Sequence, residues 1–116
     1  MWDDLPSDWE IVAVNDLASP EKYSCVGGPF GSNLTRKDYI DSPGVPVSRG
    51  SNLDIGIQQF IDRDFVFVSE EKAASLEQNT AYPNDLIFTQ RGTIGQVAKI
   101  PSNSRFPKYV LSQNQM

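Results

Sequence analysis

The sequence predicts an α+β fold in which strands dominate and the helices are short. Three observations lead there. Its apolar runs are short and strand-like, at residues 45–48, 65–68, 86–88, 97–100 and 109–112. A sustained helical signal occurs once, at residues 69–78. Eight glycines and eight prolines punctuate the 116 residues between those runs. Dominant strands with brief helices give an α+β arrangement. The length suits one domain, residues 1–116, with a modest core.

The elements follow in order. Residues 9–14 (Trp-Glu-Ile-Val-Ala-Val) alternate enough to open the fold as a strand, and residues 15–18 add a helical turn. Residues 27–33 (Gly-Gly-Pro-Phe-Gly-Ser-Asn) are loop by composition. Thr35 caps a short helix through Ile40, with Asp38 placed to return the bond, and Pro43-Gly44 breaks it. Residues 45–48 (Val-Pro-Val-Ser) make a proline-bearing strand, expected at a sheet edge because proline donates nothing to a ladder. Residues 60–68 are extended. Ser69 then caps the best helix, and Glu70 and Glu71 occupy the first turn, where the helix dipole favours acids. Residues 82–85 turn into a hairpin over 85–101. A loop follows at 101–107, and residues 109–112 form the last strand. Cys25, Trp9, Phe65, Phe67 and Phe88 are expected in the core.

Composition removes several functions. There is no histidine, which excludes Ser-His-Asp and Cys-His nucleophile systems and the usual histidine-based zinc sites. One cysteine, Cys25, allows no internal disulfide and suits a reducing, cytoplasmic setting. No run of about 18 apolar residues suggests a membrane partner, and the acidic start Met-Trp-Asp-Asp is unlike a secretory signal. The net charge of −5 argues against sequence-blind polyanion binding. Its distribution is uneven: residues 1–85 hold all 15 acids with six bases (−9), residues 86–116 four bases and no acid (+4). Either an anionic partner or chance in a short window accounts for that.

The most informative stretch is the hairpin. Two apolar runs flank a tip reading Gln90-Arg91-Gly92-Thr93. Glycine there permits a tight turn and close approach to a ligand, and arginine is a rigid fork of donors suited to guanine edges or phosphate. The pattern recurs: Ser48-Arg49-Gly50-Ser51 also ends a strand in Arg-Gly-hydroxyl, and Gly31-Ser32-Asn33-Leu34 is repeated as Gly50-Ser51-Asn52-Leu53. These echoes are either two strand ends aimed at one surface or shared turn chemistry. On the first reading Arg49, Arg91 and Gln90 reach base edges, Ser51, Asn52 and Thr93 add hydrogen bonds, and Arg36 and Lys37 hold backbone phosphate. On the second, the arginines sit in surface ion pairs.

Two further constellations are weaker. Asp62 and Asp64 followed by Glu70-Glu71-Lys72 have the residue types of a metal-dependent nuclease, but successive side chains diverge on a capped helix instead of converging as they would on a strand. Gly27-Gly28-Pro29-Phe30-Gly31 is neither a dinucleotide fingerprint nor a P-loop.

Taken together, the pieces resemble one family. They are Leu5-Pro6-Ser7-Asp8-Trp9-Glu10; Gly27-Gly28-Pro29-Phe30-Gly31-Ser32; Tyr39 through Gly44-Val45-Pro46-Val47 to Arg49-Gly50; Val68-Ser69-Glu70-Glu71-Lys72-Ala73; Asp85-Leu86-Ile87-Phe88; Arg91-Gly92-Thr93-Ile94-Gly95-Gln96-Val97-Ala98; and Ser112-Gln113-Asn114-Gln115-Met116. In order and spacing the chain resembles a target-recognition domain of the specificity (S) subunit of type I restriction–modification systems, over nearly its whole length. The resemblance implies a fold like the DNA methylase specificity domain, α+β with a β-rich twisted sheet body and a distal helical part, and a module that reads one half of a bipartite site in double-stranded DNA. It implies no catalytic activity, no cofactor and no metal. Modification (methyltransferase) and restriction subunits would be the partners that carry the chemistry. The chain departs from the family pattern at Asp8, Val14 and Asn15, where a glycine and a Leu-Gly pair are usual. The family domain continues past the point where Met116 ends this chain, so a partial domain is expected. The alternatives are a protein–protein assembly module using the same hairpin, or a truncated specificity-subunit relative without DNA binding of its own.

Overall fold

A computed structural model describes residues 4–21, 24–41, 43–54, 56, 59–92 and 95–116. In chain order the elements are helix α1 (Val14–Leu17), strands β1 (Tyr39–Ile40), β2 (Val45–Ser48), β3 (Leu53–Asp54), β4 (Gln59–Phe60) and β5 (Val66–Val68), helix α2 (Glu70–Ser75), and strands β6 (Thr80–Ala81), β7 (Leu86–Phe88), β8 (Val97–Lys99) and β9 (Tyr109–Leu111). Single 3₁₀ turns form at Gly31–Asn33, Arg36–Asp38, Gly50–Asn52 and Glu77–Asn79. The architecture is α+β, as expected.

The main sheet has five strands in the order β1-β5-β2-β9-β6. It is antiparallel except between β2 and β9, where Val47 faces Val110 and Ser48 faces Leu111 in parallel. Two smaller ladders join β3 to β4 and β7 to β8. Strand β9 explains how the core is organised. Alternate side chains of a strand point to opposite faces. Tyr109 and Leu111 accordingly enter a cluster with Leu53, Phe60, Ile87 and Ile100, while Val110 enters one with Leu34, Val45, Val68 and Leu76. A strand buried on both faces needs three apolar residues in succession, which Tyr-Val-Leu supplies. Each such side chain contributes about 1.5–3 kcal/mol by leaving water.

Strand β2 is central, not at an edge, and all four of its residues are buried. Pro46 is tolerated because the parallel ladder to β9 starts at Val47, one residue beyond it. The opening strand expected at residues 9–14 does not form. Residues 9–13 take no regular structure, and the helical turn begins at Val14. A lone strand leaves its backbone groups unpaired, and among the described residues none lies beside it. Trp9, placed in the core by the sequence reading, is 65% exposed, and Leu17 73%. Phe65, Phe67 and Phe88 are half-buried, as is Cys25.

Local chemistry sets the remaining elements. Ser69 Oγ accepts from the Lys72 N–H at 3.1 Å and starts α2, whose Ala73 is buried in the core together with Leu76 just after the helix. The helix ends at Ser75 and tightens into the 3₁₀ turn, short of the expected Gln78. The Thr35 N–H donates to Asp38 Oδ2 at 2.8 Å, so that box caps a single 3₁₀ turn, and the chain then runs into β1 instead of continuing as helix to Ile40. Among the described residues no helix is long and apolar enough to cross a membrane.

Candidate functional site

The expected hairpin forms, with Leu86 opposite Lys99, Ile87 opposite Ala98 and Phe88 opposite Val97. Ile87 and Ala98 are buried, which anchors the ribbon, and Leu86 projects outward. The turn holds Gly92 at φ 88° and Gly95 at φ 103°, both in the left-handed region that glycine adopts without cost.

Two sets of contacts fix this turn. On one side Gln96 Nε2 donates to Leu53 O at 3.2 Å and Gly50 O at 3.4 Å, and Gln96 Oε1 accepts from Thr89 Oγ1 at 2.6 Å. The two Arg-Gly segments are therefore stitched together. On the other side the C-terminal segment pairs with the hairpin. Phe88 and Met116 exchange N–H···O bonds of 2.8 and 2.9 Å, and the N–H groups of Gln90 and Arg91 both donate to Asn114 O.

The structure divides the candidate residues. Arg91 is exposed, and no ion pair reaches it among the described residues. Arg36 and Lys37 are exposed on the 3₁₀ turn after Thr35, likewise without ion pairs there. Ser51 is exposed on its turn. Arg49 is half-buried, and its Nε has no hydrogen-bond partner among the described residues. Gln90 directs its Nε2 to Gln115 O at 3.1 Å and Gln113 O at 3.4 Å, so its donors serve the fold. Asn52 is 1% exposed. Its Oδ1 accepts from the Arg49 N–H at 3.0 Å, and its Nδ2 donates to Ile61 O and Arg63 O at 3.0 and 2.9 Å. Every donor of that amide is engaged, so Asn52 is a structural pin and leaves the set of groups available at the surface. Thr93 lies outside the described residues. Among the acids weighed for nuclease chemistry, Asp62 accepts from Tyr109 Oη and the Arg105 N–H, while Lys72 pairs with Asp38 at 3.6 Å.

The sequence reading missed a cleft of about 500 Å³ beside Arg91. Its walls come from the Gly27–Asn33 loop, from Gln78 and Asn79 after α2, and from Gln113. Among the described residues Arg91 is its one charged lining residue. Phe30 stands at its rim, 80% exposed. Gly28 makes the floor possible: a Cβ there would lie 1.9 Å from Ser112 O. The one available signal was an aromatic residue between glycines, Gly-Pro-Phe-Gly, in a loop that fits no phosphate-binding pattern.

Behind the floor, Gln115 O accepts from the Gly28 N–H at 2.6 Å. The buried Gln115 amide and the Ser48 and Ser112 hydroxyls have no hydrogen-bond partner among the described residues. Comparison with protein-family models, with curated proteins and with solved structures found no match to the chain.

Proposed function

We propose that this chain is a non-catalytic module that reads sequence in double-stranded DNA, in the manner of the target-recognition domain of a type I specificity subunit. On this reading the finer fold is that of a DNA methylase specificity domain, and methyltransferase and restriction subunits supply the chemistry. The observation that carries the proposal is the joint between the two Arg-Gly segments through Gln96. A major groove admits a two-stranded β-ribbon, and arginine bidentate to guanine is its commonest specific contact. A ribbon whose turn is tied to a second arginine-bearing turn keeps both on one scaffold, with Arg91 unpaired among the described residues. Arg36 and Lys37 add cations that can hold phosphate. The net charge of −5 implies few phosphate contacts, a shallow salt dependence and weak binding by one half-site module.

Selection from a randomised duplex pool, followed by affinity measurement at two salt concentrations, tests this. A selected consensus is expected, with Arg91→Ala losing about 1–3 kcal/mol and relaxing one position of it. No consensus and an unchanged mutant would overturn the proposal.

A second reading is assembly. Trp9, Ile11, Val12, Val14 and Leu17 are all exposed on a segment that carries Asp4, Asp8, Glu10, Asp16 and Glu21. Contiguous exposed apolar groups mark interaction surfaces. Capture of a type I modification subunit that persists without DNA and is lost in Trp9→Ser/Leu17→Ser supports that reading.

A further inference from the structure

The cleft beside Arg91 is matched to a different ligand from a paired base edge. We propose that it binds an unpaired nucleotide, with the base on the Phe30 ring and the phosphate at Arg91. Three independent features of its lining define that ligand.

The first is the ring. Phe30 exposes 80% of its surface, which folding normally avoids for an aromatic side chain. Nor does it sit on a loose loop. Asn33 N–H donates to Phe30 O at 2.8 Å, Gln113 Nε2 to Gly31 O at 3.0 Å and Leu34 O at 2.7 Å, and Asn79 Nδ2 to Gly27 O at 3.0 Å. A flat apolar face presented by a pinned loop is a stacking platform, and every base has a face to place on it.

The second is charge. Among the described residues Arg91 is the only ionisable one in the lining, and no ion pair reaches it. A guanidinium so placed selects an anion, and phosphate matches its fork of donors.

The third is the polarity of the amides. Gln90, Gln113 and Asn79 all direct their side-chain nitrogens to backbone carbonyls. Gln90 and Gln113 spend both N–H groups in this way and Asn79 one of its two, so all three keep an acceptor oxygen and Asn79 one donor. Among these three amides the acceptors outnumber the remaining donor, which favours a base edge bearing an exocyclic amino group over thymine. At about 500 Å³ the cleft falls within the roughly 300–1,000 Å³ of small-ligand sites.

This inference does not rest on duplex reading. A base within a duplex shows its edge and hides its face, so stacking on Phe30 requires a nucleotide outside the helix. The ligand is either a free nucleotide or an unpaired residue in a strand.

The test is titration of the full, ¹⁵N-labelled chain, followed by amide resonances, with dAMP, dCMP, dTMP, inorganic phosphate, a duplex bearing one unpaired adenine and the same duplex fully paired. Expected are shifts at Phe30, Asn33, Arg91 and Gln113 with dAMP and dCMP, and binding of dTMP at least ~5-fold weaker. Phe30→Ala and Arg91→Gln should each weaken dAMP by ~10-fold. Both side chains are exposed, so the urea midpoint serves as the folding control. Preference for the bulged over the paired duplex assigns the nucleotide to a strand; binding of dAMP without that preference assigns it to a free nucleotide. No nucleotide shifts, phosphate alone binding as tightly as dAMP, or unchanged affinity in Phe30→Ala overturns the proposal. Selection of a paired consensus that survives Phe30→Ala belongs to the duplex reading alone, so the two stand or fall separately.

Discussion

Gln96 holds Leu53: its Nε2 lies 3.2 Å from the Leu53 carbonyl oxygen, across 43 residues of chain. The same nitrogen reaches Gly50 O, and the same amide accepts from Thr89. Gln96→Ala removes all three bonds and should cost about 1–2 kcal/mol of stability, read from the urea midpoint. Gln96→Glu keeps the acceptor for Thr89 but sets a carboxylate against two carbonyl oxygens, so it should be no better than alanine. If the turn is the DNA reader, either variant broadens a selected consensus more than it lowers non-specific affinity.

The repeated tetrapeptide Gly-Ser-Asn-Leu makes a sharper comparison. Both copies form a 3₁₀ turn, at Gly31–Asn33 and Gly50–Asn52, and both send the following leucine into the core. Yet Asn33 is exposed and Asn52 is buried. Asn52→Ala leaves the Arg49 N–H and the Ile61 and Arg63 carbonyls without that partner, and should cost about 2–4 kcal/mol. Asn33→Ala should stay within about 0.5 kcal/mol. Chemical denaturation of the two variants decides it; equal losses would contradict the assignment of Asn52 as a pin.

That pair also marks the limit of what sequence could tell. Capping and hairpin chemistry are local, so the Ser69 cap, the Thr35–Asp38 box and the hairpin over residues 85–101 could all be read from neighbouring residues. Burial of Asn52 depends on carbonyls 9 and 11 residues away, and nothing in an identical tetrapeptide distinguishes it from Asn33. Pro46 signalled an edge because the rule counts one lost ladder bond; a parallel neighbour that starts one residue later removes the loss. Residues 9–14 carry a strand's pattern, but a strand also needs a partner, which no single segment reveals. The cleft is illegible for the same reason, since its walls come from residues as distant as Gly31 and Gln113.

Gly28 and Gly31 separate close approach from mere turn composition. A methyl group on Gly28 would overlap Ser112 O at 1.9 Å, whereas one on Gly31 meets nothing within 4 Å. Gly28→Ala should therefore destabilise by about 3 kcal/mol or more and disturb the pairing of the C-terminal segment with the hairpin, while Gly31→Ala should be near neutral. Thermal unfolding of both proteins, with hydrogen exchange at the Phe88 and Met116 amides, reads the two effects.

Alkaline pH tests two phenols at once. Tyr82 is pushed up to about 12, first by its hydrogen bond to the Glu77 carboxylate, then by partial burial and by the charges of Glu77 and Asp85. Tyr109 is raised by burial and by donation to Asp62 Oδ1 at 2.6 Å. Both keep their protons in the folded state above the ordinary value of about 10, where the unfolded chain releases them. Their contribution is thus fully present below about pH 10 and is lost as pH rises through the folded values, toward about 12 for Tyr82. Urea midpoints measured from pH 8 to 11 should be level at first and then fall. Tyr109→Phe removes a charge-assisted bond from Asp62 and the acceptor of the Phe106 N–H, costing about 1.5–3 kcal/mol already at pH 7. Tyr82→Phe changes little at neutral pH, because the pair is exposed, but makes the alkaline fall shallower. An alkaline slope identical in wild type and both variants would place the titrating groups elsewhere and remove the two tyrosines from the pH response.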